Sequence, residues 1–260
     1  MSNSNMIDNI AIRSFNFKTI AEVCKFTNLY ATEQSNYYTD LIYSNIRLIS
    51  DDILYYYNTN QRIWLEVNKE QFKSFTYNFF MNTIKEIKVL IKNTTEDIDK
   101  YTSEQINALF KKFDNSTYIK DSIGRSITRL YDVQFLAVLD ANADFLPINN
   151  GKKINLKTLE ITDRTYHDYF TYYSPVDYIP GAIPNAEKFF KQFQTKKINR
   201  EYVRKVLGYS ITGRTQARKF FIWYGFGGNG KSKVFNIMEK LLQKQYTSAD
   251  KTIFLKSVLL

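Results

Sequence analysis

The residues GFGGNGKS, Gly225 to Ser232, satisfy GxxxxGK[ST] at every fixed position. That pattern cradles the phosphates of a nucleotide. Gly225, Gly227, Gly228 and Gly230 let the backbone bring its N–H groups against phosphate oxygens with no Cβ in the way, and Phe226 and Asn229 fill the variable positions. Lys231 stands where an ammonium reaches the β- and γ-phosphates of ATP, and Ser232 where a hydroxyl ligates Mg²⁺. The catalytic role falls on Lys231. A glycine-rich stretch can also be only a tight turn; the lysine, the serine and the flanking residues favour the phosphate reading.

Those flanks are the elements that must position the loop. Phe220, Phe221, Ile222, Trp223 and Tyr224 form a continuous apolar run, which predicts a strand buried on both faces. Val234, Ile237, Met238, Leu241 and Leu242 recur at helical spacing, so a helix is expected to begin near Lys231 and to present its positive dipole end to the phosphates.

With 44% hydrophobic and 24% charged residues, the 260-residue chain is of the globular class. No stretch approaches the roughly 20 apolar residues of a membrane span, and the N-terminal MSNSNMIDNI lacks the basic start and apolar core of a signal peptide. The expectation is an intracellular protein. Cys24 stands alone, which excludes an internal disulfide and a cysteine-built zinc site. Asn93 and Asn115 match the glycosylation pattern but read as surface residues. Tyr and Phe number 20 each; AT-rich codon usage explains them better than a base-stacking surface does.

The charge is unevenly divided. From Ala186 onward there are 16 Lys and Arg against 4 acidic residues, a net of +12, whereas the first 185 residues carry −2. Lys196, Lys197, Arg200, Arg204 and Lys205 lie in the densest block, which suits either phosphate contacts on nucleic acid or a solvated or subunit-facing helix surface.

Along the chain, residues 6 to 50 read as mostly helical. Ile53 to Val67 reads as a hairpin around Asn58-Thr59-Asn60-Gln61. Helical patterns follow at Lys69 to Ile91, at Ser103 to Phe113 and at Tyr118 to Leu139, the last with Asn115 or Ser116 as N-cap. Asn150-Gly151 marks a second hairpin within 147–162. Pro175, Pro180 and Pro184 break the chain as a linker. Helices are expected at Ala186 to Gln194 and at Asn199 to Thr212, with Asn199 as N-cap and Gly213 just past the end. FLAVLD, Phe135 to Asp140, mimics the acidic strand of a P-loop metal site, but it precedes the loop and lies inside a helical pattern. His167, the single histidine, reads as structural or exposed.

The order LDANADFLPINNGKKINLKTLEI, YSPVDYIPGA, AEKFF, VLGYSITG and GFGGNGKS resembles the primase-helicase proteins of poxviruses and other large DNA viruses, over roughly Ile53 to Leu255. The resemblance implies a superfamily 3, ring-forming, ATP-driven DNA helicase, in which residues 1–185 are a helical linking domain and residues 186–260 begin the ATPase domain. It implies ATP and Mg²⁺ as cofactors, DNA and a homo-oligomeric ring as partners, and host cytoplasm or a site of viral replication as the location. It assigns Gly225 to Ser232 to the ATP phosphates, Lys231 to charge balance and Ser232 to the metal. The fold class expected is α+β: a helix-rich domain with small hairpins, then the first strand, loop and helix of an α/β core. The stretch after the last helix is too short for the family's acidic strand, sensor strand and arginine finger, so the expectation is a fragment that binds ATP without hydrolysing it alone, or one completed by a separately encoded remainder. A DNA-binding or assembly module that retains the loop as a remnant is the competing reading, and a small kinase fits poorly because the loop comes so late.

Overall fold

The computed structural model describes residues 13–249 except 44, 51, 95–96 and 182. Residues 6–12 of the expected N-terminal helical region, Thr95 of the first glycosylation pattern and the tail from Asp250 lie outside the described residues. The chain divides into two compact units, Met1–Leu139 and Asp140–Leu260. Both combine helices with one small antiparallel three-stranded sheet, a helix-rich α+β architecture.

The first unit holds α1 (Ile20–Thr27), α2 (Ala31–Tyr43), β1 (Ile46–Leu48), β2 (Ile53–Asn58), β3 (Ile63–Asn68), α3 (Lys69–Asn93), α4 (Lys100–Phe113), α5 (Ser116–Leu130) and the short α6 (Phe135–Val138). The expected hairpin is β2–β3, in register from Ile53↔Asn68 to Asn58↔Ile63. Asn68 ends β3 and starts α3: its side chain accepts from Gln71 N while its own N–H donates to Gln71 Oε1, both at 2.9 Å, so two otherwise orphaned donors at the helix start are satisfied. Phe72, Phe75, Phe79, Phe80 and Ile87 fall on one buried stripe of α3, and around it Phe15, Phe26, Tyr38 and Phe113 close an aromatic core. Thr76 and Thr83 lie on that stripe without leaving polar atoms orphaned, because each hydroxyl bonds the carbonyl four residues back.

The sheet is covered on its second face as well. Trp64 of β3 is fully buried, with Phe135 of α6 edge-on at 4.8 Å. This explains why the helix expected from Tyr118 to Leu139 is interrupted: after Leu130 the backbone turns extended at Tyr131, which bridges Leu48, and Asp132 N donates to Leu48 O at 2.8 Å. The FLAVLD run therefore forms a single turn under the sheet. Asn115 caps α5 as expected, accepting from Thr117 N and Tyr118 N.

The second unit opens with β4 (Phe145–Ile148), β5 (Lys152–Asn155) and β6 (Ile161–Asp163), and then α7 (Pro184–Phe193), α8 (Lys197–Ile211) and α9 (Lys231–Leu242). Lys152 N donates to Asn149 O at 3.2 Å, closing a turn whose central residues Asn150 (φ 56°) and Gly151 (φ 67°) both take the left-handed values that a type I′ hairpin requires. A side chain at the second of these positions is strained, so Gly151→Ala is expected to cost the second unit about 1 kcal/mol in urea unfolding. A loss below a few tenths would show that the turn is not of this type. Leu146, Ile148 and Ile154 form the small apolar core beneath the sheet, with Leu156 and Ile211 against it.

Two expectations in this unit are corrected. Asn199 is not the N-cap of α8; the helix starts two residues earlier, after Lys196, and Arg200 holds the preceding turn by donating to Gln194 O and Thr195 O. The run Phe220–Tyr224 is not a strand buried on both faces. Phe221 and Trp223 are half-buried, against Tyr209 and Phe193 respectively, while Phe220, Ile222 and Tyr224 are 84, 80 and 91% exposed. The alternation is that of a strand, but among the described residues no neighbouring strand offers it backbone partners.

Candidate functional site

Gly225 to Gly230 form an exposed loop that enters α9 directly, so the strand–loop–helix order is retained in its last two parts. Gly225, Gly228 and Gly230 have φ of 154°, 76° and 84°. Gly230 is the position where the requirement for glycine is plainest: it is the N-cap of α9, left-handed, and a Cβ there would meet Phe193 Cδ2 at 3.1 Å. Its carbonyl begins the helix by accepting from Lys233 N and Val234 N. Val234, Met238 and Leu242 are buried and anchor the helix, while Ile237, expected on the same stripe, is half-exposed.

Lys231 lies at the first turn of α9 and its side chain curls back over the loop. Its Nζ donates to Gly225 O at 2.8 Å, Phe226 O at 3.1 Å and Asn229 Oδ1 at 2.8 Å. Ser232 comes next, exposed at the helix start, and Phe226, Gly227 and Gly228 are exposed too. Three of the loop residues named from spacing, Gly225, Phe226 and Asn229, are thus brought together around one ammonium. Beside them a cavity of about 300 Å³ runs between α7, α8 and Phe220–Tyr224, with Phe193, Tyr202 and Trp223 in its wall and Asn229 and Lys231 at its polar end. Sequence spacing gives no sign of Phe193, which reaches the loop from a helix more than thirty residues earlier.

The five basic candidates are gathered on α8 and its N-cap. At 100° per residue, Lys196, Lys197, Arg200 and Arg204 fall within one arc of about 100° and Lys205 lies about 80° beyond it. Lys196, Lys197, Arg204 and Lys205 are exposed and Arg200 is half-buried. Arg204 bonds Glu187 at 2.7 Å and covers the Phe190 ring at 5.1 Å, so it ties α8 to α7. Tyr202 and Ile198, 61 and 74% exposed, stand among these charges.

Asp140, the acidic end of FLAVLD, accepts from Thr171 N at 2.8 Å and from the Thr171 hydroxyl, and its own N–H donates to Tyr169 O. Burial pushes its carboxyl upward, with the Thr171 bonds opposing. Tyr172 is pushed up to about 12 by burial, aided by the Asp140 charge. Asp140 acts as a structural clamp in the second unit. His167 is exposed in a short 3₁₀ turn against the Tyr166 ring. Among the described residues no group of three or more His, Cys, Asp and Glu could hold a metal ion, and no helix is long and apolar enough to cross a membrane.

The chain is 27% identical over 150 residues to a protein of Acanthamoeba polyphaga mimivirus named "Putative helicase L207/L206", a match covering 56% of this chain and 16% of the relative. The chain thus matches only about a sixth of the length of that relative. The family described as D5 N terminal like matches residues 43–199, which take in both sheets, α3 to α7 and the start of α8, and stop short of the loop at Gly225. With more than half of its length so matched, this chain belongs to the D5 N terminal like family.

Proposed function

We propose that this chain is the ATP-binding portion of a viral DNA helicase of the primase-helicase kind, acting in DNA replication. The observation that carries the reading is the loop: eight residues of the P-loop pattern, with Lys231 folded over them at the start of a helix. The family membership and the helicase-named viral relative support the wider assignment. In this reading Lys231 would balance phosphate charge and the Ser232 hydroxyl would be offered to the Mg²⁺ that accompanies ATP. The described residues bind ATP without turning it over alone. Hydrolysis in P-loop enzymes needs an acidic residue on the metal and a group that orients water, both carried by a parallel sheet; the two sheets described are antiparallel and end at Asp163. In this reading further strands paired with the run Phe220–Tyr224 would supply those parts and cover the exposed Phe220, Ile222 and Tyr224, and the assembly would be a homo-oligomeric ring. The test is Mg-ATP binding by titration calorimetry alongside a phosphate-release assay. Binding with no release above background supports the reading; no binding at millimolar ATP overturns it.

The exposed lysines of α8 favour a second role, DNA binding that needs no nucleotide. Replacing Lys196, Lys197 and Lys205 together by Gln is expected to weaken single-stranded DNA binding uniformly across sequences and to flatten the slope of log affinity against log salt by about 2. An unchanged slope would assign these lysines to solvent.

A further inference from the structure

Lys231 carries three donors, and three acceptors within its own loop engage it: Gly225 O, Phe226 O and Asn229 Oδ1. Two are backbone atoms; Asn229 is the one side chain. Its amide is set tightly against Gly225, since a Cβ there would lie 2.5 Å from Asn229 Nδ2. Glycine at 225 therefore makes room for the asparagine. The asparagine in turn places a carbonyl oxygen at hydrogen-bonding distance from the ammonium.

We infer that Asn229 is a positioning residue that holds Lys231 onto its own loop, so that incoming phosphate oxygens must displace a preformed set of protein acceptors. The inference rests on the proposed phosphate-binding role of the loop. It assigns Asn229 a side-chain function opposite in sign to that of the loop's backbone N–H groups: they add to phosphate affinity, and the Asn229 oxygen subtracts from it. The hold is also a filter. A polyphosphate offers several charged oxygens at once and can replace all three acceptors, whereas a lone carboxylate replaces at most two.

Two measurements test this on the full chain. In the absence of any ligand, trace acetylation read by mass spectrometry reports how available the Lys231 amine is, relative to the exposed Lys240 on the same helix. Asn229→Ala is expected to raise that ratio by about twofold or more, since one of three hydrogen bonds to a charged group is gone. Titration with inorganic tripolyphosphate, which has no base or sugar, is then expected to show roughly three- to tenfold tighter binding for Asn229→Ala and near-complete loss for Lys231→Ala. An unchanged acetylation ratio overturns the hold. Weaker tripolyphosphate binding by Asn229→Ala also overturns it, by making the asparagine a ligand contact. A raised ratio with tripolyphosphate binding indifferent to Lys231→Ala upholds the hold and instead overturns the phosphate reading of the loop.

Discussion

Replacing Lys231 by Ala is expected to abolish the thermal stabilisation that Mg-ATP gives this chain. Ligand that binds only the folded state stabilises it by RT ln(1 + [L]/Kd), about 2.7 kcal/mol at a hundredfold excess over Kd. For a unit of this size that is a rise in Tm of roughly 10 °C, and the variant should show a rise near zero at the same concentration. The size of the effect comes from where the side chain sits. Among the described residues Lys231 is the one cation whose bonds span the loop from Gly225 to Asn229. Phosphates entering the loop would be surrounded by backbone N–H groups, which carry partial charges, and by this single full charge. The variant also loses three hydrogen bonds to the loop, so its Tm without nucleotide can shift. The difference with and without Mg-ATP, measured by differential scanning calorimetry, isolates the ligand contribution. An equal rise in both proteins would end the assignment of Gly225 to Ser232 as a phosphate site.

Phe113→Ala in the first unit should lower stability by about 3–5 kcal/mol. Phe113 is fully buried at the end of α4, and its ring lies 4.9 Å from Phe80, 5.8 Å from Phe15, and 6.1 Å from each of Phe26 and Tyr118. Truncation removes the apolar area, leaves a cavity that α1, α3, α5 and the chain before α1 cannot all close, and breaks several ring pairs worth about 0.5–1.5 kcal/mol each. Against a total of about 5–15 kcal/mol the loss is large. Monitored by far-UV circular dichroism, it should move the urea midpoint of the first unit down by about 2 M. Phe113→Leu, which keeps most of the volume, should move it by less than half as much. A shift for Phe113→Ala within the error of the extrapolation would mean that the aromatic cluster is loosely packed.

The features that could be read in the sequence are separated from those that could not by a physical line. The β2–β3 hairpin, the Asn150-Gly151 turn and the stripe of α3 were legible because each depends on residues close in sequence: a period of two, a pair of residues tolerant of positive φ, a period near 3.6. β1 and β6 were not, because three residues carry no measurable period and exist as strands only through the partner they pair with. The end of α5 was hidden for the same reason. Nothing in its own helical pattern signals that Tyr131 will be captured by Leu48. Asn199 has the chemistry of a cap, but the helix begins earlier, where Arg200 secures the turn. That a loop ends and a helix begins at Lys231 was legible too, since glycines followed by a run of helical spacing are a local signal. The ring of acceptors around Lys231 and the approach of Phe193 to Gly230 depend on side-chain conformation and on long-range packing, which spacing does not encode. The run Phe220–Tyr224 is the instructive case: its composition suits a strand covered on both faces, and the described residues cover one.

The division into two units also distributes the chain's two indoles, one to each. Trp64 is fully buried with Phe135 against it, so its fluorescence emission is expected at short wavelength, while Trp223 is half-exposed between Phe193 and Phe235 on the segment leading into the loop. The molecule therefore carries a built-in pair of optical reporters of different colour. The blue one is expected to register the integrity of the first unit, and the red one the surroundings of the segment that leads into the loop. With either indole replaced by Phe, the melting of each unit can be followed without a label.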